Sequence, residues 1–270
     1  MRVKIRRFDH DGKITVQEGY GLAVVSINRP SSLNALSSIM WQELTRIAKD
    51  LKNSKKARVV ILRGVGGHLT AGSDIKEFHQ MSIEEANEAF LYMEEAIRAF
   101  ENLPQPTIAT VDGVALGAGF ELALACDLRV GTKNTKMGIP VGRLGIKLNR
   151  SFAKRISDLI GPSRTKDLVY TGRLFKGKEC EDLGLVNYYV ENEDVDHFVM
   201  KLGEKISQQA PSSVRAVKEA VSYNNPRFDF SFEHPERLEM VDPVDFPEGI
   251  ASFVEKRKPR FHYKKKKVQE

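Results

Sequence analysis

Apolar and polar positions along the chain predict alternating strands and helices. Residues 13–17 and 21–28 read as two strands joined by a turn over 18–20, the second a β-branched run stopped by Pro30. Beyond Ser37 and Ser38, either of which suits a helix cap, Met40, Leu44, Ile47 and Leu51 fall at helical spacing. Residues 58–64 (RVVILRG) predict a short buried strand, and 64–67 with 68–74 (HLTAGSD) form a turn-rich loop after it. The spacing predicts a helix over 82–103 with Phe90, Met93, Ile97 and Phe100 on one side, ended by Pro104 and Pro106. An apolar run over 107–111 and a short one over 128–130 are the next strands, and a loop (MGIPVGRLG) spans 137–145.

The remainder is more helical. Helices are predicted over 152–160 and 163–170, the second closed by Gly172, and over 176–183, 194–210 and 211–224, with a strand at 186–190. Residues 222–247 carry little regular pattern and are rich in Pro, Asp and Glu; a last helix is predicted over 247–256. The order βα, βα, βα, then helices, implies an α/β (α+β) class: a core over 1–200 and a helical C-terminal region over 201–270. No internal repeat is visible.

Composition narrows the setting. The 270 residues suit one large domain or a domain with a helical extension, and 41% hydrophobic residues allow a sizeable core. No apolar run approaches the roughly 20 residues that span a bilayer, so no membrane partner is expected. The opening MRVKIRRFDHDGK is basic but has no apolar segment of a secretory signal. Cys126 and Cys180 are too few for a disulfide framework, and no CxxC pair suggests zinc; a cytoplasmic setting without a bound metal is expected. Part of the +6 formal charge comes from residues 257–267 (RKPRFHYKKKK). This tail, with Lys264 to Lys267 at its end, reads as a solvated end; contact with an anionic ligand or nucleic acid is the alternative, and no nucleic-acid partner is expected.

The chemistry concentrates in residues 112–127, DGVALGAGFELALACD. An apolar strand enters, Gly113, Gly117 and Gly119 form a small-residue turn, and Glu121 opens a segment of helix formers. Glycines let backbone approach a ligand closely, and N–H groups exposed at such a turn can receive developing negative charge. A lone carboxylate beside them outlines an acid/base site with an oxyanion hole; a glycine-packed turn with a solvated Glu121 is the bland alternative. Other motifs fail. Gly117 and Gly119 begin a dinucleotide fingerprint whose third glycine would fall at Leu122, and there is no GK[ST] loop, HExxH or GxSxG elbow. Cys126, among small apolar residues, reads as core.

Taken in order, NRPSSLNAL, LTAGSDIKEF, DGVALGAGFELALACDLRV, PVGRLGI, YTGRLF, DLGLVNYYV, APSSVRAVKEAV and EGIASFVEKRKPRF resemble the crotonase superfamily, the enoyl-CoA hydratases and isomerases, over nearly the whole chain. The resemblance implies a spiral of ββα units, with C-terminal helices that pack on neighbouring subunits in a trimer or a pair of trimers. It implies an acyl-CoA substrate, coenzyme A entering as part of the substrate and not as a separate cofactor, and stabilisation of a thioester enolate. Carried over by motif, the oxyanion donors are the backbone N–H groups of Ser73 and Ala118, and Glu121 is the acid/base. Coenzyme A is then expected along residues 28–35 and 71–76, including Ala35, Ala71, Asp74 and Ile75. Its adenine end would meet Phe253 and Lys256, and Lys256, Arg257 and Lys258 suit its phosphates.

The pattern breaks at one position. Family hydratases carry a second glutamate after the Pro of a P-E-x-x-x-G run; here the run is Pro140, Val141, Gly142, Arg143, Leu144, Gly145. Val141 can neither give nor take a proton. His68, Glu77, His79, Arg143 and Asn149 are candidate substitutes, each with an ordinary structural reading. Three outcomes remain: hydration with Glu121 alone, another enolate reaction such as decarboxylation, isomerisation or thioester hydrolysis, or acyl-CoA binding without turnover. The family's methylmalonyl-CoA decarboxylase also has an apolar residue after that Pro. Its polar site residues, a His at the position of Ser73 and a Tyr at that of Leu148, are absent here.

Overall fold

The computed structural model describes residues 4–7, 12–221 and 244–261. The basic opening stretch contributes an edge strand: Lys4–Arg7 (β1) pairs antiparallel with Ile14–Gly19 (β2), and β2 pairs antiparallel with Leu22–Ile27 (β3). The turn between β2 and β3 sits at Tyr20 and Gly21, both at positive φ, one residue later than the sequence predicts. Helix Ser38–Lys52 (α1) follows, capped by the Ser37 side chain, which accepts from the Met40 N–H. Val59–Gly64 (β4) returns parallel to β3. A single turn, Ile75–Phe78 (α2), precedes helix Ile83–Glu101 (α3), which opens on a capping box between Ser82 and Glu85.

Thr107–Val111 (β5) adds to the parallel sheet. Val114–Leu116 (β6) leads into helix Ala118–Leu124 (α4), and Leu128–Gly131 (β7) rejoins the sheet beside β5. Lys136–Gly138 (β8) lies in the stretch expected as a loop. It pairs parallel with β6 and antiparallel with Phe175–Lys176 (β9), a second small sheet the hydrophobic pattern does not predict. Between β8 and β9 come helices Arg150–Ile160 (α5) and Pro162–Thr171 (α6). Helix Lys178–Asp182 (α7) and strand Tyr188–Tyr189 (β10) are shorter than predicted; β10 closes the main sheet on β7. Helices Val195–Ser207 (α8), Pro211–Val221 (α9) and Asp245–Val254 (α10) complete the described chain. The irregular stretch over 222–243 and the lysines at 264–267 lie outside the described residues.

The main sheet runs β1-β2-β3-β4-β5-β7-β10. Its central strands are buried on both faces, which is why VVIL reads as a continuous apolar run and not as an alternation. Val60 and Leu62 face the core that includes Trp41, Leu44 and Phe100 from α1 and α3. Val59 and Ile61 face the opposite way, onto Val195 and Val199 of α8. A Cβ on Gly203 would lie 3.1 Å from Leu22 and 3.3 Å from Ile61, so the missing side chain lets α8 seat closely. Helix α8 spans residue 200 and packs its apolar face on the sheet on both sides of it. Among the described residues no helix is long and apolar enough to cross a membrane. Cys126 and Cys180 are buried and unbridged, and burial pushes both thiols up to about 12.

Candidate active site

Two backbone segments meet at the glycine turn. Thr70 bridges Ala115 of β6, and Ser73 bridges Leu36. The Leu36 N–H donates to the Gly72 carbonyl at 2.8 Å, and the Asp74 N–H to the Leu36 carbonyl at 2.9 Å. Gly72 itself is left-handed, with φ +93, and leaves no room for a side chain against the backbone of Leu116 and Ala118. Gly119 is similarly constrained: its Cβ would stand 2.4 Å from the Thr70 carbonyl oxygen. Gly117, at φ 55 and ψ −123, turns β6 into α4. The glycines therefore bring the 70–74 loop and the start of α4 into contact.

Ser73 and Ala118 sit at this junction. No acceptor among the described residues takes the backbone N–H of either. The Ser73 hydroxyl accepts from the indole Nε1 of buried Trp41 at 3.0 Å, which pins the loop. Both residues line a mostly apolar cavity of about 230 Å³, whose wall includes Phe78, Phe90, Met93, Val141 and Phe152. Phe78 and Phe90 stack with centroids 5.0 Å apart on one side. Ala71 and Ile75 also belong to the wall.

Glu121, on the first turn of α4, is fully buried and is not among the residues that line the cavity. Its Oε2 accepts from Arg155 Nη1 at 2.8 Å, while Oε1 has no hydrogen-bond partner among the described residues. Arg155, on α5, also forks onto Glu101 of α3, from Nε at 3.0 Å and Nη2 at 2.9 Å. Removal from water pushes the Glu121 carboxyl up to about 8, although Arg155 pulls the other way. The site is thus a cavity with two free amide donors and a buried carboxylate of elevated proton affinity.

Other predicted positions fall elsewhere. Asp74 caps α2 through the Lys76 N–H and pairs with Arg29 at 3.1 Å, and the Ala35 carbonyl accepts from the same guanidinium. Phe253 belongs to α10, its side chain outside the described structure, and exposed Lys256 follows the helix away from the cavity wall; α10 docks on α9, where Asp245 accepts from the Ser212 N–H at 2.9 Å. Among the candidate substitutes, Glu77 accepts from the Ser38 N–H at the start of α1, and His68 Nδ1 accepts from the Val114 N–H. Exposed His79 ends α2. Asn149 caps α5 by accepting from the Phe152 N–H and also borders the cavity. The Arg143 side chain lies outside the described structure. Val141 keeps its place in the wall, 9% exposed, with no carboxylate in its stead.

Sequence reasoning missed Arg155, Trp41 and Lys147, the last a cation on the cavity wall. Arg155 carried a signal: it sits on the face of α5 shared by buried Phe152 and Ile156, and a cation there needs a buried partner.

Comparison with known proteins agrees with this geometry. The model of the "Enoyl-CoA hydratase/isomerase" family matches residues 17–264. Human mitochondrial methylglutaconyl-CoA hydratase is 34% identical over 253 residues, covering 91% of this chain and 75% of that protein. A short-chain-enoyl-CoA hydratase of Clostridium acetobutylicum is 34% identical over 242 residues, 88% of this chain and 92% of that protein. The crystal structure of an enoyl-CoA hydratase from Bacillus anthracis superposes with a TM-score of 0.84 at 33% identity, covering 93% of this chain and 99% of the other. With the fold, the family model and these relatives in agreement, the chain belongs to the enoyl-CoA hydratase/isomerase (crotonase) family of acyl-CoA enzymes.

Proposed function

We propose that the protein hydrates a 2-enoyl-CoA, with Glu121 as its single acid/base and the Ser73 and Ala118 amides as its oxyanion hole. The carrying observation is the pair of unclaimed backbone N–H groups at one end of an apolar cavity, with a buried carboxylate on the turn that supplies one of them. The thioester oxygen would sit between the two amides and the acyl chain in the cavity. Glu121 takes a proton from water as the oxygen adds to the β-carbon, and the charge that moves onto the thioester oxygen settles on the amides. The carboxyl then returns that proton to the α-carbon, so water is added and the enzyme is restored.

Ala71, Ile75 and the backbone near Ala35 and Asp74 would line the approach of coenzyme A. In a trimer or hexamer, Phe253 and Lys256 would serve its adenine end across a subunit boundary. Self-association is supported by α9, none of whose residues is buried in one chain; its Val217 and Val221 are exposed. A cytoplasmic setting rests on the unbridged cysteines.

A second reading is favoured by two observations: among the described residues the cavity wall carries Val141 and no carboxylate, and Glu121 is absent from it. On that reading the protein carries out another enolate reaction, or binds acyl-CoA without turnover. Incubation with crotonyl-CoA, followed by loss of the conjugated enoyl absorbance, separates them. Hydration gives 3-hydroxybutyryl-CoA. Binding without absorbance loss sinks the hydratase reading, and malonyl-type and branched thioesters then test for decarboxylation or hydrolysis.

A further inference from the structure

Arg155 bridges the two carboxylates around it unequally. It forks both oxygens of Glu101 yet takes only one oxygen of Glu121, and its side chain is 8% exposed. Glu101 is partly in solvent, at 31%, whereas Glu121 is fully enclosed. The Arg155 guanidinium also lies 5.5 Å from the centroid of the Phe152 ring, and Phe152 is part of the cavity wall. Glu101 therefore anchors the cation from the solvent side, and the cation holds the enclosed Glu121 carboxylate from its other side. A guanidinium suits this because its planar fork can serve two partners at once, which a lysine cannot reproduce.

We infer that Arg155, anchored by Glu101, is a positioning residue that holds Glu121 by Oε2 and leaves Oε1 as the oxygen that acts on water. This rests on the reading of Glu121 as the acid/base. The charged groups acting on Glu121 are Arg155 from α5 and Glu101 from α3; β6, also packed against α4, is Val-Ala-Leu and carries none. Enclosure outweighs the cation and leaves the proton affinity raised to about 8, and a protonated carboxyl cannot take a proton from water. Arg155 opposes that enclosure, so its loss raises the proton affinity of Glu121 further.

The test reads the carboxyl directly and needs no turnover. Protein labelled with 13C at the glutamate carboxyl, with the Glu121 signal assigned by its absence in Glu121→Gln, is titrated for wild type, Arg155→Lys and Arg155→Gln. The midpoint is expected to rise in that order, by about one pH unit or more from wild type to Arg155→Gln. Equal midpoints, or a lower one in either variant, would overturn the assignment. If Arg155→Gln does not fold, wild type against Arg155→Lys decides it by the same criterion. Where wild type hydrates crotonyl-CoA, both variants should lose kcat by tenfold or more with KM held within about threefold. A midpoint that moves in a protein without turnover would uphold Arg155 while removing the hydratase reading.

Discussion

A methyl group on Gly72 would stand 3.1 Å from the amide nitrogen of Ala118. The same group would be 2.6 Å from the Leu116 carbonyl oxygen. The two amides of the proposed oxyanion hole are thus set by an approach only glycine permits, at a φ that also favours glycine. Gly72→Ala should push the 70–74 loop away from α4. Loss of one donor is worth about 3–4 kcal/mol in the transition state, so kcat should fall by roughly 100-fold or more. Steady-state kinetics on crotonyl-CoA, beside a thermal melt, checks this; a full kcat would mean that the approach does not set the donors.

A carboxylate can be introduced into the cavity wall at Val141. A positioned second acid/base contributes about 100-fold or more, so Val141→Glu should raise hydration. Val141 is 9% exposed and its neighbours on the cavity wall are largely apolar, so the variant should lose stability, by about 1–3 kcal/mol. Turnover and urea denaturation on the same preparation read both effects.

The stacked Phe78 and Phe90 close one side of the cavity. Phe90→Ala should admit a longer acyl chain. With each methylene worth about 1–3 kcal/mol in an apolar pocket, the kcat/KM ratio of a six-carbon to a four-carbon enoyl-CoA should rise about tenfold or more.

Buried Glu121 links stability to pH. Its folded proton affinity lies near 8, above that of an exposed carboxyl, so the folded state holds more protons than the unfolded one between about 4.5 and 8. Stability from this group is therefore complete below about 4.5, declines as pH rises from there, and is lost once pH passes about 8. Glu121→Gln cannot ionise and escapes the loss. Its melting temperature relative to wild type should increase from pH 5 to pH 9, and a difference that does not change with pH would contradict a buried carboxyl of raised proton affinity.

The parts of this architecture that are legible in the chain are those with long apolar signals. The VVIL run and the Met40, Leu44, Ile47, Leu51 stripe each bury enough side chain to dictate strand and helix. The glycine turn is legible because close backbone contact leaves a compositional trace. The second sheet is not, since β6, β8 and β9 are two or three residues each and show no period. The Leu36–Ser73 bridge joins segments far apart in sequence, and no local pattern encodes it. The Trp41 and Arg155 contacts are missed for a related reason. Each is a side chain on a core helix whose polar atom finds its partner only after the helices pack.

The central claim is that one carboxylate suffices. Crotonyl-CoA turnover by wild type and Glu121→Gln, measured side by side with acyl-CoA binding, tests it most directly. The account predicts measurable hydration in wild type, a loss of about 100-fold or more in the variant, and binding that changes little. Equal rates in the two proteins, with binding intact, would contradict it.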